Sequence, residues 1–70
     1  MMPLSMVGTG DMVTIMKIKG TDEVRQHLAE LGFIPGEEIS IVNQVSRNLI
    51  IQVKDSRVAL DRSMANRIYI

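Results

Sequence analysis

The apolar side chains of this chain follow a helical period in one segment and a strand period in most of the others. Val24, Leu28 and Leu31 are spaced four and three residues apart, so a helix would carry them on one face. The spacing predicts a helix over residues 22–31. Its apolar face is expected to pack on the core.

Signals at both ends support this helix. Thr21 has the side chain of an N-cap, and Asp22 and Glu23 place negative charge at the positive end of the helix. Gly32 stands where helices commonly end in a left-handed residue, and Pro35-Gly36 prevents the helix from resuming. Pro presets the first turn position there, and Gly accepts the positive φ.

Five segments carry strand patterns: residues 12–19, 38–45, 49–54, 58–60 and 67–70. The segment 49–54 is the most strand-like, and Leu49, Ile51 and Val53 are expected to face the core. A turn within residues 43–48, whose position the pattern does not fix, and a tight reversal at residues 54–57 predict that its two neighbours pair with it antiparallel.

Two places depart from regular strand patterning. In residues 12–19 the alternation of Val13 and Ile15 breaks at Ile18, which indicates a bulge or a sharp bend. Residues 61–66 have a possible N-cap and about one turn of helical pattern. They predict a short helical corner before the last strand.

This order of elements predicts a mostly β domain over residues 1–70, built as a small five-stranded SH3-like barrel. The helix lies between strands 1 and 2, and a short helical turn precedes the last strand. A flat sheet of this size would expose one apolar face and two edges, whereas closure buries the face and pairs the edges. An open ferredoxin-like sheet would require a second full-length helix.

Charge and composition argue against a nucleic-acid partner. Lys plus Arg and Asp plus Glu number eight each in 70 residues, and the formal net charge is zero. A balanced charge gives no field to hold a polyanion, and Phe33 and Tyr69 are the only aromatic side chains. We therefore expect no binding of nucleic acid.

The sequence also predicts a cytoplasmic protein without direct membrane insertion. Cysteine is absent, so the core must come from aliphatic side chains rather than from disulfides or thiolate metal sites. The longest apolar runs are far too short to span a bilayer, and the N-terminus lacks the pattern of a signal peptide.

One stripe of the predicted helix carries potential metal ligands. Glu23, His27 and Glu30 are spaced four and three apart, and two carboxylates with an imidazole are suitable ligands for a divalent cation. A solvated helix face is the favoured interpretation, because nothing in the pattern buries or orients these groups. His27 has no recognisable Ser or Cys nucleophile, so we expect neither an enzyme nor a cofactor.

The order of short motifs is similar to the ferrous iron transport protein A family, in which a small barrel also resembles the C-terminal SH3-like domain of iron-dependent repressors. The matching positions are Leu4-Ser5, Gly10, Ile15, Ile18, Gly20, Arg25, Leu28, Leu31-Gly32-Phe33, Pro35-Gly36, Ala59-Leu60, Ala65 and Ile68. The chain departs from the family pattern in the short segment Ser46-Arg47-Asn48, at Asp55 and at Asp61.

The resemblance implies a non-catalytic accessory protein of bacterial ferrous iron uptake. Its expected partner is the membrane ferrous iron transporter, bound through the cytoplasmic GTP-binding domain. The alternative is a small-barrel module that binds protein or nucleic acid and is unrelated to iron transport. Self-association is left open.

The partner-binding surface is expected beside the end of the helix. The candidate residues are Arg25, Leu28, Leu31 and Phe33. Aliphatic residues at helical spacing usually face the core, so Leu28 and Leu31 are alternatively interpreted as core residues.

Overall fold

Short strands dominate the computed structural model, which describes residues 1–70. In chain order the elements are a 3₁₀ helix Leu4–Met6, β1 Met12–Thr14, β2 Lys17–Ile18, α1 Asp22–Glu30, β3 Glu38–Val45, β4 Asn48–Val53, β5 Ser56–Asp61, α2 Arg62–Ala65 and β6 Ile68–Tyr69. The prediction of a mostly β domain is confirmed. No helix is both long and apolar enough to cross a membrane.

The strands form two antiparallel sheets, and the predicted closed five-stranded barrel is not observed. One sheet has the order β1-β3-β4-β5, and the other pairs β2 with β6. The predicted first strand divides at Ile15 and Met16, whose backbone N–H groups donate to Glu37 O at 2.9 Å and to Tyr69 O at 2.7 Å. Because consecutive residues bond to different segments, the chain bends there and supplies one strand to each sheet. The predicted break in the strand is confirmed, but its consequence is two sheets.

Helix α1 begins and ends through the groups that the sequence indicated. The Val24 N–H donates to Thr21 Oγ1 at 3.2 Å. At the other end Gly32 has a φ of 106°, and the Gly32 and Phe33 N–H groups donate to Ala29 O and Leu28 O, both at 2.9 Å. This pair of bonds is a Schellman motif. The helix ends at Glu30, one residue before the predicted end.

Fourteen apolar residues form one core, and the described chain buries no charged or polar residue. The inward alternation of Leu49, Ile51 and Val53 in β4 is confirmed. From α1, Leu28 is fully buried and Leu31 is packed against the core while half-buried. The sequence patterns missed the 3₁₀ helix, which places Leu4 in the core.

The predicted helical corner is confirmed as α2. Asp61 caps it, since the Met64 N–H donates to Asp61 Oδ1 at 2.8 Å. Ala65 is buried, so this one-turn helix closes the core beside β5.

Candidate partner-docking surface

A shallow depression of about 360 Å³ lies between α1, β2 and the loop that follows the helix. We call it the ledge, and it is lined by Met16, Lys17, Ile18, Arg25, Ala29, Phe33, Ile34 and Pro35. Five of its eight lining residues are hydrophobic. Its shape and composition suit an apolar side chain of another protein.

The loop that carries one wall of the ledge is fixed by backbone hydrogen bonds. Pro35 and Gly36 are the central residues of a turn in which the Glu37 N–H donates to Ile34 O at 3.1 Å, and Gly36 has a φ of 93°. This matches the predicted roles of Pro and Gly. The Gly36 N–H also donates to Ile15 O at 2.8 Å, which ties the turn to the strand segment before Met16. The wall is therefore held in place before any partner arrives.

Two apolar side chains at the ledge, Met16 and Ile34, are exposed. Met16 is 61% exposed and Ile34 is 41% exposed, whereas Phe33 is 1% exposed and forms the floor. A partner that covers Met16 and Ile34 would remove their apolar surface from water, which favours binding. A flexible thioether beside a rigid turn can adapt to more than one apolar partner.

Two cations stand at the rim of the ledge. Arg25 pairs with Asp22 on the preceding turn of α1, and both side chains are exposed. Lys17 is also exposed and has no ion pair within the described structure. The rim thus carries two cationic side chains, of which Arg25 is paired with a carboxylate, and water screens this exposed pair strongly.

Two of the four predicted partner-binding residues line the ledge, and two do not. Arg25 contributes to its rim and Phe33 to its floor. Leu28 is 0% exposed and presents no surface to a partner, whereas Leu31 is half-buried against the core and does not line the ledge. The helical spacing that drew attention to them marks the buried face of α1.

The remaining residues of the ledge were missed because they come from three separate segments. Met16 and Lys17 lie where the strand alternation breaks, and Ile34 and Pro35 follow the helix. In both segments, the available signal was an apolar residue next to the point where a strand or helix pattern ends. Only tertiary folding brings Met16 and Ile34 to one depression.

The structure does not assemble a metal site on α1. Glu23, His27 and Glu30 are exposed, and no group of three His, Cys, Asp or Glu side chains is placed to hold a metal ion.

A second concavity of about 450 Å³ is polar and lies around the start of α2. It is lined by Arg47, Asp61, Arg62 and Ser63. The Met64 N–H, and after it the Ser63 hydroxyl, donate to the Asp61 carboxylate and lower its pKa below the ordinary value. Arg62 donates to Ser5 O at 3.3 Å, so these charged side chains stabilise the corner itself.

Comparison with known proteins assigns the fold and the family. A family model described as the FeoA domain matches residues 2–70. No curated protein matches the chain in sequence. The chain is 33% identical to a protein whose crystal structure is described as that of iron uptake regulatory protein (FeoA), with a TM-score of 0.87 over 94% of this chain and 89% of that chain.

Two further structures extend the comparison. Stenotrophomonas maltophilia FeoA, complexed with zinc and described as an SH3 domain protein, is 29% identical, with a TM-score of 0.86 over 99% of this chain and 88% of that chain. A manganese-dependent transcriptional repressor shares the fold alone, at 16% identity and a TM-score of 0.85 over 94% of this chain and 38% of that chain. The small SH3-like fold is thereby confirmed, without the five-stranded closure. Because the FeoA family model matches residues 2–70, this chain belongs to the FeoA domain family.

Proposed function

We propose that this chain is a non-catalytic, cytoplasmic accessory protein of bacterial ferrous iron uptake that binds the cytoplasmic GTP-binding part of the ferrous iron transporter through the ledge. The Stenotrophomonas maltophilia relative is described as a candidate activating factor of bacterial ferrous iron transport, which supports the process. The ledge carries the proposed contact.

The ledge supports docking because its exposed apolar atoms surround a preformed hollow. Interfaces concentrate their binding energy in a few central side chains that fill such hollows. Here the partner would cover Met16 and Ile34 and reach the floor at Phe33. Since Phe33 and its turn are already held by the core and by backbone bonds, little ordering entropy opposes binding.

The charges at the rim indicate which surface fits. Arg25 and Lys17 flank the hollow. An apolar side chain with carboxylates beside it would complement both the floor and the rim. The contact should therefore weaken moderately as salt concentration rises.

The two aromatic rings of the chain are poorly placed to stack on nucleic-acid bases. Phe33 is buried, and Lys19 Nζ lies over the Tyr69 ring at 4.3 Å from its centroid. Phe33 therefore presents no free face for stacking, and Lys19 covers one face of Tyr69. Tight complexes in a gel shift at low salt would favour the alternative of a nucleic-acid-binding module.

Titration calorimetry with the transporter's isolated cytoplasmic domain tests the docking site. Met16→Glu places a charge in the apolar contact and should weaken binding at least tenfold. Met6→Glu is the matched control, because Met6 is 67% exposed and does not line the ledge. It should bind like the wild type.

Equal affinity of the wild type and Met16→Glu, with circular dichroism showing both folded, would reject the ledge. Equal loss in Met16→Glu and Met6→Glu would point to charge rather than to the site. Absence of binding by the wild type in every nucleotide state would reject this partner.

A further inference from the structure

Strand β5 forms an edge of the larger sheet, and its outer side is free. The order β1-β3-β4-β5 leaves β5 with one neighbour. No backbone hydrogen bond from outside the β4 pairing reaches Arg57 or Ala59. An uncovered edge strand of six residues is a template for pairing with another strand.

The hairpin register identifies which backbone groups point outward. Val53 pairs with Ser56 across a two-residue loop, and hydrogen-bonded pairs then alternate along the ladder. Ser56, Val58 and Leu60 therefore bond to β4, whereas Arg57 and Ala59 direct their N–H and C=O groups away from it. At Asp61 only the N–H is open, because the C=O of this N-cap residue accepts the first hydrogen bond within α2. Arg62 lies two residues after Leu60, so its N–H should also point toward β4. It donates to Arg47 O in the loop before β4 at 3.1 Å, which agrees with this assignment.

We propose that β5 is a homodimerisation edge that pairs antiparallel with β5 of a second copy of this chain about a two-fold axis at Ala59. In this register Ala59 faces Ala59 of the second copy. Arg57 faces Asp61 of the second copy, and the same pair recurs on the other side of the axis. Ala59 then pairs with Ala59 through both backbone groups, and each Asp61 N–H donates to Arg57 O of the second copy.

Charge complementarity is the reason to choose a second copy as the occupant. Arg57 and Asp61 are both exposed, on the same face as Ala59, and they lie two residues before and after it. Neither has an ion pair within the described structure. Opposite charges directly across an antiparallel pair stabilise that register, and like charges oppose it.

Existing contacts leave both charges available. Arg57 uses Nε to reach Gln52 Oε1 at 3.1 Å, and its terminal nitrogens have no bond in the described structure. Asp61 accepts the Met64 N–H and the Ser63 hydroxyl at Oδ1, and its carboxylate is exposed to solvent. Between the two charged pairs, Ala59 offers a side chain small enough to meet itself on the axis.

Sedimentation equilibrium of the full chain tests the proposal. The wild type should form dimers as its concentration rises from about 10 µM to about 1 mM, the range of small interfaces. Arg57→Glu places a carboxylate opposite Asp61 and should raise the dissociation constant at least tenfold. Lys19→Glu makes the same charge change beside the smaller sheet, which does not contain β5, and should change it less than twofold.

Mixing variants tests the register itself. Arg57→Glu and Asp61→Lys each place like charges face to face in a homodimer, but a mixed dimer restores two opposite-charge pairs. An equimolar mixture should therefore dimerise at least tenfold more tightly than either variant alone. If Asp61→Lys fails to fold because α2 loses its cap, Ala59→Lys serves instead. It sets two ammonium groups against each other on the axis and should abolish the dimer.

Amide hydrogen exchange supplies an independent readout. The Ala59 and Asp61 amides should become protected as concentration rises, whereas the Leu60 amide should be protected at every concentration. A wild type that stays monomeric to about 1 mM overturns the proposal. So does an equal effect of Arg57→Glu and Lys19→Glu, or protection of Ala59 that appears only after another protein is added. Met16→Glu should leave dimerisation unchanged, so this result is separable from the outcome at the ledge.

Discussion

Gly32 joins α1 to the loop that carries the ledge. The variant Gly32→Ala tests whether this position has room for a side chain. Gly32 has a φ of 106°, and an added Cβ would lie 2.9 Å from Val53 Cγ2. Gly36 is a matched control, because its φ of 93° is similar and an added Cβ would meet nothing within 4 Å. The two variants share the backbone strain and differ in crowding.

The magnitudes follow from these two contributions. A side chain in left-handed backbone costs about 1–2 kcal/mol. The contact with Val53 adds overpacking of about 1–3 kcal/mol, since a γ-methyl of a central strand must shift. Gly36→Ala should thus lose about 1–2 kcal/mol and Gly32→Ala about 2–5 kcal/mol of unfolding free energy. Domains of this size rarely have more than about 3–5 kcal/mol of stability from their core, so Gly32→Ala should be partly unfolded in buffer.

Urea unfolding followed by circular dichroism measures both losses, with sulfate added to stabilise the weaker variant. Val53→Ala in the Gly32→Ala background removes the crowding methyl groups. The double-mutant cycle should therefore show a favourable coupling of about 1–3 kcal/mol. Equal losses for the two glycines, or a coupling near zero, would refute the steric argument and leave backbone strain as the only cost.

Three further predictions concern the turns and caps. Ser46→Gly should raise the unfolding free energy by about 0.5 kcal/mol, because Ser46 has a φ of 59° and glycine adopts this conformation without strain. The neighbouring Arg47 has no positive φ, so Arg47→Gly should lower the unfolding free energy by about 0.5 kcal/mol. Urea titration of both variants measures the two changes. Thr21→Ala should cost about 1 kcal/mol through loss of the α1 cap, measured against Thr9→Ala at an exposed turn; equal losses would contradict this. The pKa of Asp61 is lowered in the folded state, so its contribution to stability is complete above the unfolded value of 3.8 and is lost as pH falls through the folded value. Asp61→Asn should therefore lose less stability than the wild type between neutral pH and pH below 3.8, as acid titration of the unfolding transition would show; parallel curves would contradict the assignment.

Local sequence signals predicted most elements of this fold, because each depends on neighbours in the chain. The alternation in β3 and β4 and the apolar face of α1 are set by residues a few positions apart. The break in residues 12–19 was also visible. The division into two sheets could not be predicted from this break. It depends on the hydrogen-bond partners of Ile15 and Met16, which lie about 20 and 50 residues away in the chain.

The candidate site could be predicted only in part for the same reason. Leu28 and Phe33 satisfy the local criteria of a docking surface and are nevertheless buried, because the sequence shows that a residue is apolar but not which apolar residues the core leaves uncovered. The ledge requires the Schellman turn at Gly32 to direct Ile34 outward while Met16 arrives from another strand. Met6 and Met12 are at least as exposed as Met16, so exposure alone would not have identified the site. What distinguishes Met16 is that the fold brings it beside Ile34 at one hollow.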